Sequence, residues 1–137
     1  MNTLKTFRIF ILIYIAILPL MGLTTYFSFD TLPITLQEYL LVEDTKGSST
    51  WNMILGGCFL ALLVIALLGM WLFKFWAKTL YMIIMVVSIP LYPWFGVIIM
   101  TPWESLFNDS ILLIDGILIS MMFSSPVREA FTKKQLP

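Results

Sequence analysis

The 137-residue sequence lacks histidine, and cysteine occurs only once, at Cys58. Without histidine the commonest protein ligand for haem, zinc and copper is missing, so we expect neither a metal nor a cofactor. A single cysteine cannot form an intrachain disulfide, and this one, within an apolar run, favours neither an oxidising nor a reducing compartment. A G-x-S-x-G motif and a clustered carboxylate pair are also missing, so the usual catalytic arrangements cannot be assembled. We therefore expect a protein that is not an enzyme.

Charge is also scarce, because 12% of the residues are charged and 60% are hydrophobic, with a mean hydropathy of +0.95. Such a chain has too little polar surface to dissolve as a monomer, and its composition is typical of a protein in a lipid bilayer. Eight basic residues balance eight acidic ones. The bulk positive charge of a nucleic-acid-binding protein is therefore missing, and we expect no nucleic-acid partner.

Four apolar segments are predicted to span the membrane, at residues 6–26, 51–73, 76–95 and 102–124. Each has about the 20 residues that a helix needs to cross the hydrocarbon core. They predict a single membrane domain over residues 1–137: an all-α, integral membrane four-helix bundle. Residues 126–137 are predicted to form a cytoplasmic tail.

The first and third spans each contain proline. The first follows Lys5 and Arg8 as a signal peptide would, but no small-residue cleavage site follows, so it is predicted to remain as a span with a kink at Pro19. The third contains Pro90 and Pro93. We expect a kinked helix that continues to Phe95, and the alternative is a break in the helix that lines a cavity.

Between the first two spans lies the only long polar connection, at residues 28–50. Its segment LPITLQEYLLVED has leucines at helical spacing and predicts a short amphipathic helix outside the cytoplasm. This helix is expected either to lie on the membrane surface or to pack on the bundle.

The distribution of lysine and arginine predicts the orientation. With four spans, seven basic residues fall on one side of the membrane and only Lys46 falls on the other. By the positive-inside rule both termini are cytoplasmic. We expect a plasma membrane, and specifically a bacterial inner membrane. The seven residues are Lys5, Arg8, Lys74, Lys78, Arg128, Lys133 and Lys134.

The fourth span has the clearest local signals. Thr101, Pro102 and Glu104 match the N-cap, N1 and N3 positions of a capping box, so the helix is predicted to begin at Pro102. Deep within it lies Asp115, and no Lys or Arg is placed to pair with it at that depth. An ionisable side chain at this depth faces protein or water rather than lipid. Ser88 of the third span is the predicted hydrogen-bond partner of Asp115.

Helical spacing predicts two polar stripes that both face inward on the fourth span. One contains Glu104, Asn108, Ile111 and Asp115, and the other contains Asp109, Gly116, Ser120 and Ser124.

Small residues predict where helices approach closely. Gly57 and Ala61 make a small-xxx-small pair on the second span, and Ala66 with Gly69 makes another notch. Gly116 and Ser120 are the corresponding candidates on the fourth span.

Two functions are compatible with these patterns. The protein is either an accessory subunit that binds a membrane-protein partner or a second copy of itself, or an oligomeric proton- or cation-coupled transporter or channel. In the second case Asp115 would be the coupling group, and Glu104, Asn108 and Asp109 would form an outer vestibule. In the first, Asp115 would be a hydrogen-bonded packing residue.

Overall fold

The computed structural model of the protein describes residues 3–28, 31–45, 49–91 and 100–133. Every regular element in these ranges is a helix, which confirms the all-α prediction. Three segments, at residues 3–24, 50–71 and 102–123, are long and apolar enough to cross a membrane, and Phe75–Leu91 is a shorter apolar helix. The helices are α1 (Thr3–Ser28), α2 (Ile34–Thr45), α3 (Ser49–Trp71), α4 (Phe75–Leu91), α5 (Pro102–Phe123) and α6 (Ser125–Lys133).

Two prolines lie inside described apolar helices, and neither of them ends its helix. Pro19 lies within α1, and Pro90 lies one residue before the end of α4. The predicted continuation of the third span to Phe95, and Pro93 with it, falls on residues 92–99, which lie outside the described residues.

The turn between α3 and α4 explains why α3 ends two residues before the predicted boundary. The backbone N–H of Lys74 bonds to the Gly69 carbonyl at 2.9 Å, and that of Phe73 bonds to the Met70 carbonyl at 3.0 Å. These two bonds form a Schellman motif, in which the residue after the C-cap adopts the left-handed conformation. Phe73 occupies that position with φ 53°.

α3 and α4 form a hairpin, and the two helices pack closely where they adjoin this turn. A Cβ atom built on Gly69 would lie 2.6 Å from the Ala77 Cβ and 2.9 Å from the Trp76 ring. Only a glycine lets the two backbones come so close, which is why a small residue is needed at this point of α3.

The region after α5, which the sequence predicts to be a cytoplasmic tail, contains a further helix. α5 ends at Phe123, and the backbone of its C-cap residue, Ser124, is extended, which separates the two helices. A second helix, α6, then begins at Ser125 and buries Val127 and Phe131 completely or nearly so. These two apolar residues are four positions apart and therefore lie on one face of the helix.

The helix predicted in the loop is present as α2. The prediction that it is amphipathic was wrong. The apolar residues in its sequence are not concentrated at the positions of one helix face. Ile34 and Val42 are both exposed. α2 comes closest to α3. Its first turn is closed by the Gln37 side chain, which donates to the Leu32 carbonyl at 2.8 Å.

The buried core is concentrated at one end of the bundle. There the start of α1, the α3–α4 turn and α6 meet through the rings of Phe7, Phe73 and Phe131, whose centroids are 5.4 to 6.1 Å apart. We call this the basic end, because Lys5, Arg8, Lys74 and Arg128 lie there. The opposite end holds the end of α1 and the start of α5. The core residues are Phe7, Ile11, Tyr14, Ala66, Leu67, Met70, Phe73, Ala77, Tyr81, Ile84, Ile114, Leu118, Met122, Val127 and Phe131.

Candidate functional site

The most distinctive polar group of the core is the carboxyl of Asp115 on α5. It is 6% exposed and accepts a hydrogen bond from the hydroxyl of Tyr81 on α4. The hydroxyl of Tyr14 on α1 makes the other side-chain hydrogen bond to it. Three helices that are separate in the sequence are therefore joined at one carboxyl group. We call these three residues the tyrosine–aspartate node.

The node is assembled by the antiparallel packing of α5 against α1 and α4. Tyr81 lies six residues after the start of α4, and Asp115 lies eight residues before the end of α5, so the two reach similar depth from the basic end. A buried tyrosine hydroxyl needs a hydrogen-bond partner. The carboxyl has enough acceptor sites for both tyrosines.

Ser88 was the wrong partner for Asp115. Its hydroxyl donates to the Met85 carbonyl of its own helix at 2.7 Å. Ser88 lies thirteen residues from the start of α4, about two turns further from the basic end than Tyr81.

A second polar contact joins α4 to the end of α5. The Lys78 ammonium donates to the Met122 carbonyl at 3.4 Å and lies 4.5 Å from the centre of the Phe123 ring. α5 has no basic residue in its own last turn. Lys78 therefore places a positive charge at the C-terminal end of α5, where the helix dipole is negative and a cation is favoured.

The capping box at the start of α5 is confirmed. Glu104 accepts from the Thr101 backbone N–H at 2.6 Å, and the Thr101 hydroxyl accepts from the Glu104 N–H at 3.4 Å. Both residues are buried. Glu104 thus has a structural role as a cap, and it begins the stripe that continues through half-buried Asn108 and Ile111 to Asp115.

The second predicted stripe of α5 does not face inward. Asp109, Gly116 and Ser120 are all exposed, and a Cβ on Gly116 would meet no atom within 4 Å. The prediction was wrong because small and polar residues were assumed to mark the packed side. α5 instead packs through the larger side chains of Ile114, Leu118 and Met122.

The two notches of α3 have different surroundings. The space beside Gly69 is occupied by α4, as described above, whereas Gly57 and Ala61 are exposed. A Cβ on Gly56 or Gly57 would meet no atom within 4 Å. Cys58 is exposed beside them.

A cavity of about 590 Å³ lies at the opposite end, between the end of α1 and the start of α5. It does not include Asp115. Its lining residues are Thr24, Phe27, Thr31, Thr101, Pro102 and Trp103.

Tyr14 and Tyr81 were not identified from the sequence, although a signal was present. Tyrosine in membrane proteins usually lies at the two interfaces. Tyr14 is instead eleven residues into α1, within a run of aliphatic residues. A hydroxyl at that depth indicates a polar partner on another helix.

Among the described residues, no three or more Cys, Asp and Glu side chains come together as metal ligands. In comparisons with known proteins, no family model, no curated protein and no solved structure matches this chain.

Proposed function

We propose that the protein is a four-span protein of the plasma membrane, with cytoplasmic termini, that acts as a non-enzymatic subunit by binding another membrane-protein chain. The observation that carries the proposal is the contrast between the two notches of α3. Gly69 is covered by the protein's own α4, and the Gly57–Ala61 notch is left uncovered by every described helix. Small residues in membrane helices allow close backbone contact with a second helix.

The positions of α1 and α6 support the orientation. The start of α1 and α6 lie together at the basic end, as an even number of spans requires. The α3–α4 turn with Lys74 lies at the same end. This proposal is tested by fusing a reporter to the C-terminus: activity of a periplasmic reporter would contradict it, and activity of a cytoplasmic reporter is expected.

The interaction is tested by purification of the tagged chain in mild detergent. We expect stoichiometric co-purification of one membrane protein, and loss of it in Gly57→Leu, because the new side chain fills the notch. Gly22→Leu is the matched control, because Gly22 is also exposed and unobstructed but lies on α1. If both variants keep the partner, or both lose it, the notch is not the binding face.

Cys58 distinguishes a second copy of the chain from a different partner. It is exposed and adjacent to Gly57. Mild oxidation in membranes would give a covalent dimer if α3 pairs with itself, and Cys58→Ser would abolish it. A monomer that still binds a stoichiometric partner supports a hetero-complex.

A second function, proton- or cation-coupled transport, is favoured by one observation, the buried carboxyl of Asp115 with two tyrosine hydroxyls. Such groups line many ion pathways. The proposed vestibule has less support, because Asp109 is exposed on another face and Glu104 is held as a cap. Proton flux into vesicles that contain the reconstituted protein, abolished by Asp115→Asn, would favour transport. Absence of flux in the unaltered protein would exclude it.

A further inference from the structure

The basic end carries a group of exposed cationic side chains that the proposed partner binding does not use. Lys5 and Arg8 are exposed on α1, three positions apart and therefore on one side of the helix. Lys74 is exposed in the α3–α4 turn, directly after Phe73. We call Lys5, Arg8 and Lys74 the basic cluster.

Arg8 is held in place by aromatic rings. Its guanidinium carbon lies 5.1 Å from the centre of the Phe73 ring and 5.6 Å from the centre of the Trp71 ring. These contacts orient the guanidinium. No carboxylate in residues 3–28, 31–45, 49–91 and 100–133 forms an ion pair with Arg8. Its five N–H donors match the oxygens of a phosphate group.

The backbone of Phe73 shows that its ring has a specific place. In the left-handed conformation a side chain costs about 1 kcal/mol relative to glycine, and glycine is the usual residue at this position. The strain is offset because the ring packs against Phe7 and Phe131 and beneath Arg8. The ring of Phe73 therefore links this turn to Arg8, and Lys74 is the next residue of the turn.

The charged side chains described around the basic cluster are mainly positive. The Lys78 ammonium already donates a hydrogen bond to the Met122 carbonyl at the end of α5. Glu129 on α6 is the acidic residue described at this end, and its carboxylate accepts from the Ser125 hydroxyl at 3.0 Å. The other described acidic side chains of α5 lie further along that helix, at residues 104, 109 and 115.

Exposed apolar side chains adjoin the cluster. Ile9 follows Arg8, Leu72 precedes Phe73, and Trp76 is the second residue of α4. About half of the surface of each of these residues is exposed. A ligand that carries both a phosphate and hydrocarbon chains would satisfy both surfaces. A free phosphate would contact only the cations.

We propose that the basic cluster binds the headgroup phosphate of an anionic phospholipid in the leaflet at the basic end. Arg8 holds the phosphate by its guanidinium, Lys74 and Lys5 contribute further positive charge, and the acyl chains lie along Ile9, Leu72 and Trp76. Basic pockets between membrane helices are known to bind anionic headgroups in this way. The inference rests on the proposed insertion of the chain in a membrane.

The test is native mass spectrometry of the full chain, released from bilayers that contain equal amounts of phosphatidylglycerol and phosphatidylcholine. We expect retention of one phosphatidylglycerol per chain, and Arg8→Gln should lower that retention about tenfold, through loss of both the charge and its directed hydrogen bonds. Arg128→Gln removes the same charge from the same end, and it should lower retention about twofold. Arg8→Lys, which keeps the charge and loses the planar donor group, should fall between them.

Equal losses in Arg8→Gln and Arg128→Gln would overturn the proposal, because they would indicate a diffuse surface charge rather than a site. Equal retention of the two lipids would overturn it as well. Displacement of the lipid by millimolar inorganic phosphate would show that the acyl chains do not contribute. Extraction of the unaltered chain from membranes by alkaline carbonate would instead contradict the membrane proposal itself, which separates the two failures. Thermal unfolding in detergent checks that each variant is folded.

Discussion

The two ends of the bundle differ in packing. At the basic end, large side chains from α1, α3, α4, α5 and α6 interlock, and the tyrosine–aspartate node supplies hydrogen bonds between them. Towards the opposite end, the first half of α3 presents exposed Met53, Ile54 and Leu55. In a bilayer, apolar side chains gain little by leaving lipid for protein, so shape and hydrogen bonding decide which surfaces pack. The difference shows that apolar sequence alone does not identify the core of this protein.

The largest contrast is expected between two phenylalanines, one from each end. Phe131→Ala should lower the free energy of unfolding by about 3 kcal/mol, because its ring is 2% exposed and lies against Phe7 and Phe73. Phe27→Ala, at a ring that is 72% exposed, should change it by less than about 0.5 kcal/mol. Unfolding in mixed detergent and dodecyl sulfate measures both. Similar losses would mean that the two ends are equally packed in solution.

A smaller effect is expected at the node. Asp115→Leu should lower the free energy of unfolding by about 1 to 2 kcal/mol, since the hydroxyls of Tyr14 and Tyr81 lose their acceptor. Asp115→Asn keeps an acceptor oxygen and should lose much less. The exposed carboxylate of Asp109 supplies the control, and Asp109→Leu should be nearly neutral. If Asn is as damaging as Leu, an amide oxygen does not replace the carboxylate as acceptor.

The two notches of α3 give the next comparison. Gly69→Ala should lower the free energy of unfolding by about 1 kcal/mol, because overpacking against Ala77 outweighs the better helix propensity of alanine. Gly57→Ala meets no neighbouring atom and should be neutral or slightly stabilising. The same unfolding titration applies. A neutral Gly69→Ala would show that α3 and α4 can move apart at little cost.

An effect of similar size is expected at the start of α5. Thr101→Ala should cost about 1 kcal/mol, because the Glu104 N–H loses its capping hydroxyl. Hydrogen exchange should increase in the first turn of α5, and it should remain unchanged around Asp115. An increase along the whole helix would contradict the separation of the two ends.

Local signals in the sequence were sufficient for several elements. The capping box at Thr101 and Glu104 was predicted because its hydrogen bonds connect residues only three positions apart. Asp115 was correctly expected to be buried in protein, because a carboxyl in lipid is costly at any orientation of the helix. α6 was missed because a helix of only nine residues that contains Pro126 gives a weak helix signal, although the spacing of Val127 and Phe131 would have indicated it.

The sequence by itself determined an all-helical, strongly apolar chain, because hydropathy and helical periodicity depend only on residue type and spacing. Only the tertiary structure decided that Tyr14 and Tyr81, rather than Ser88, reach Asp115. It also decided that Gly69 is filled while Gly57 and Gly116 stay open. The physical reason is that the rotation of each helix about its axis, and its depth relative to its neighbours, are set by side-chain packing between distant segments.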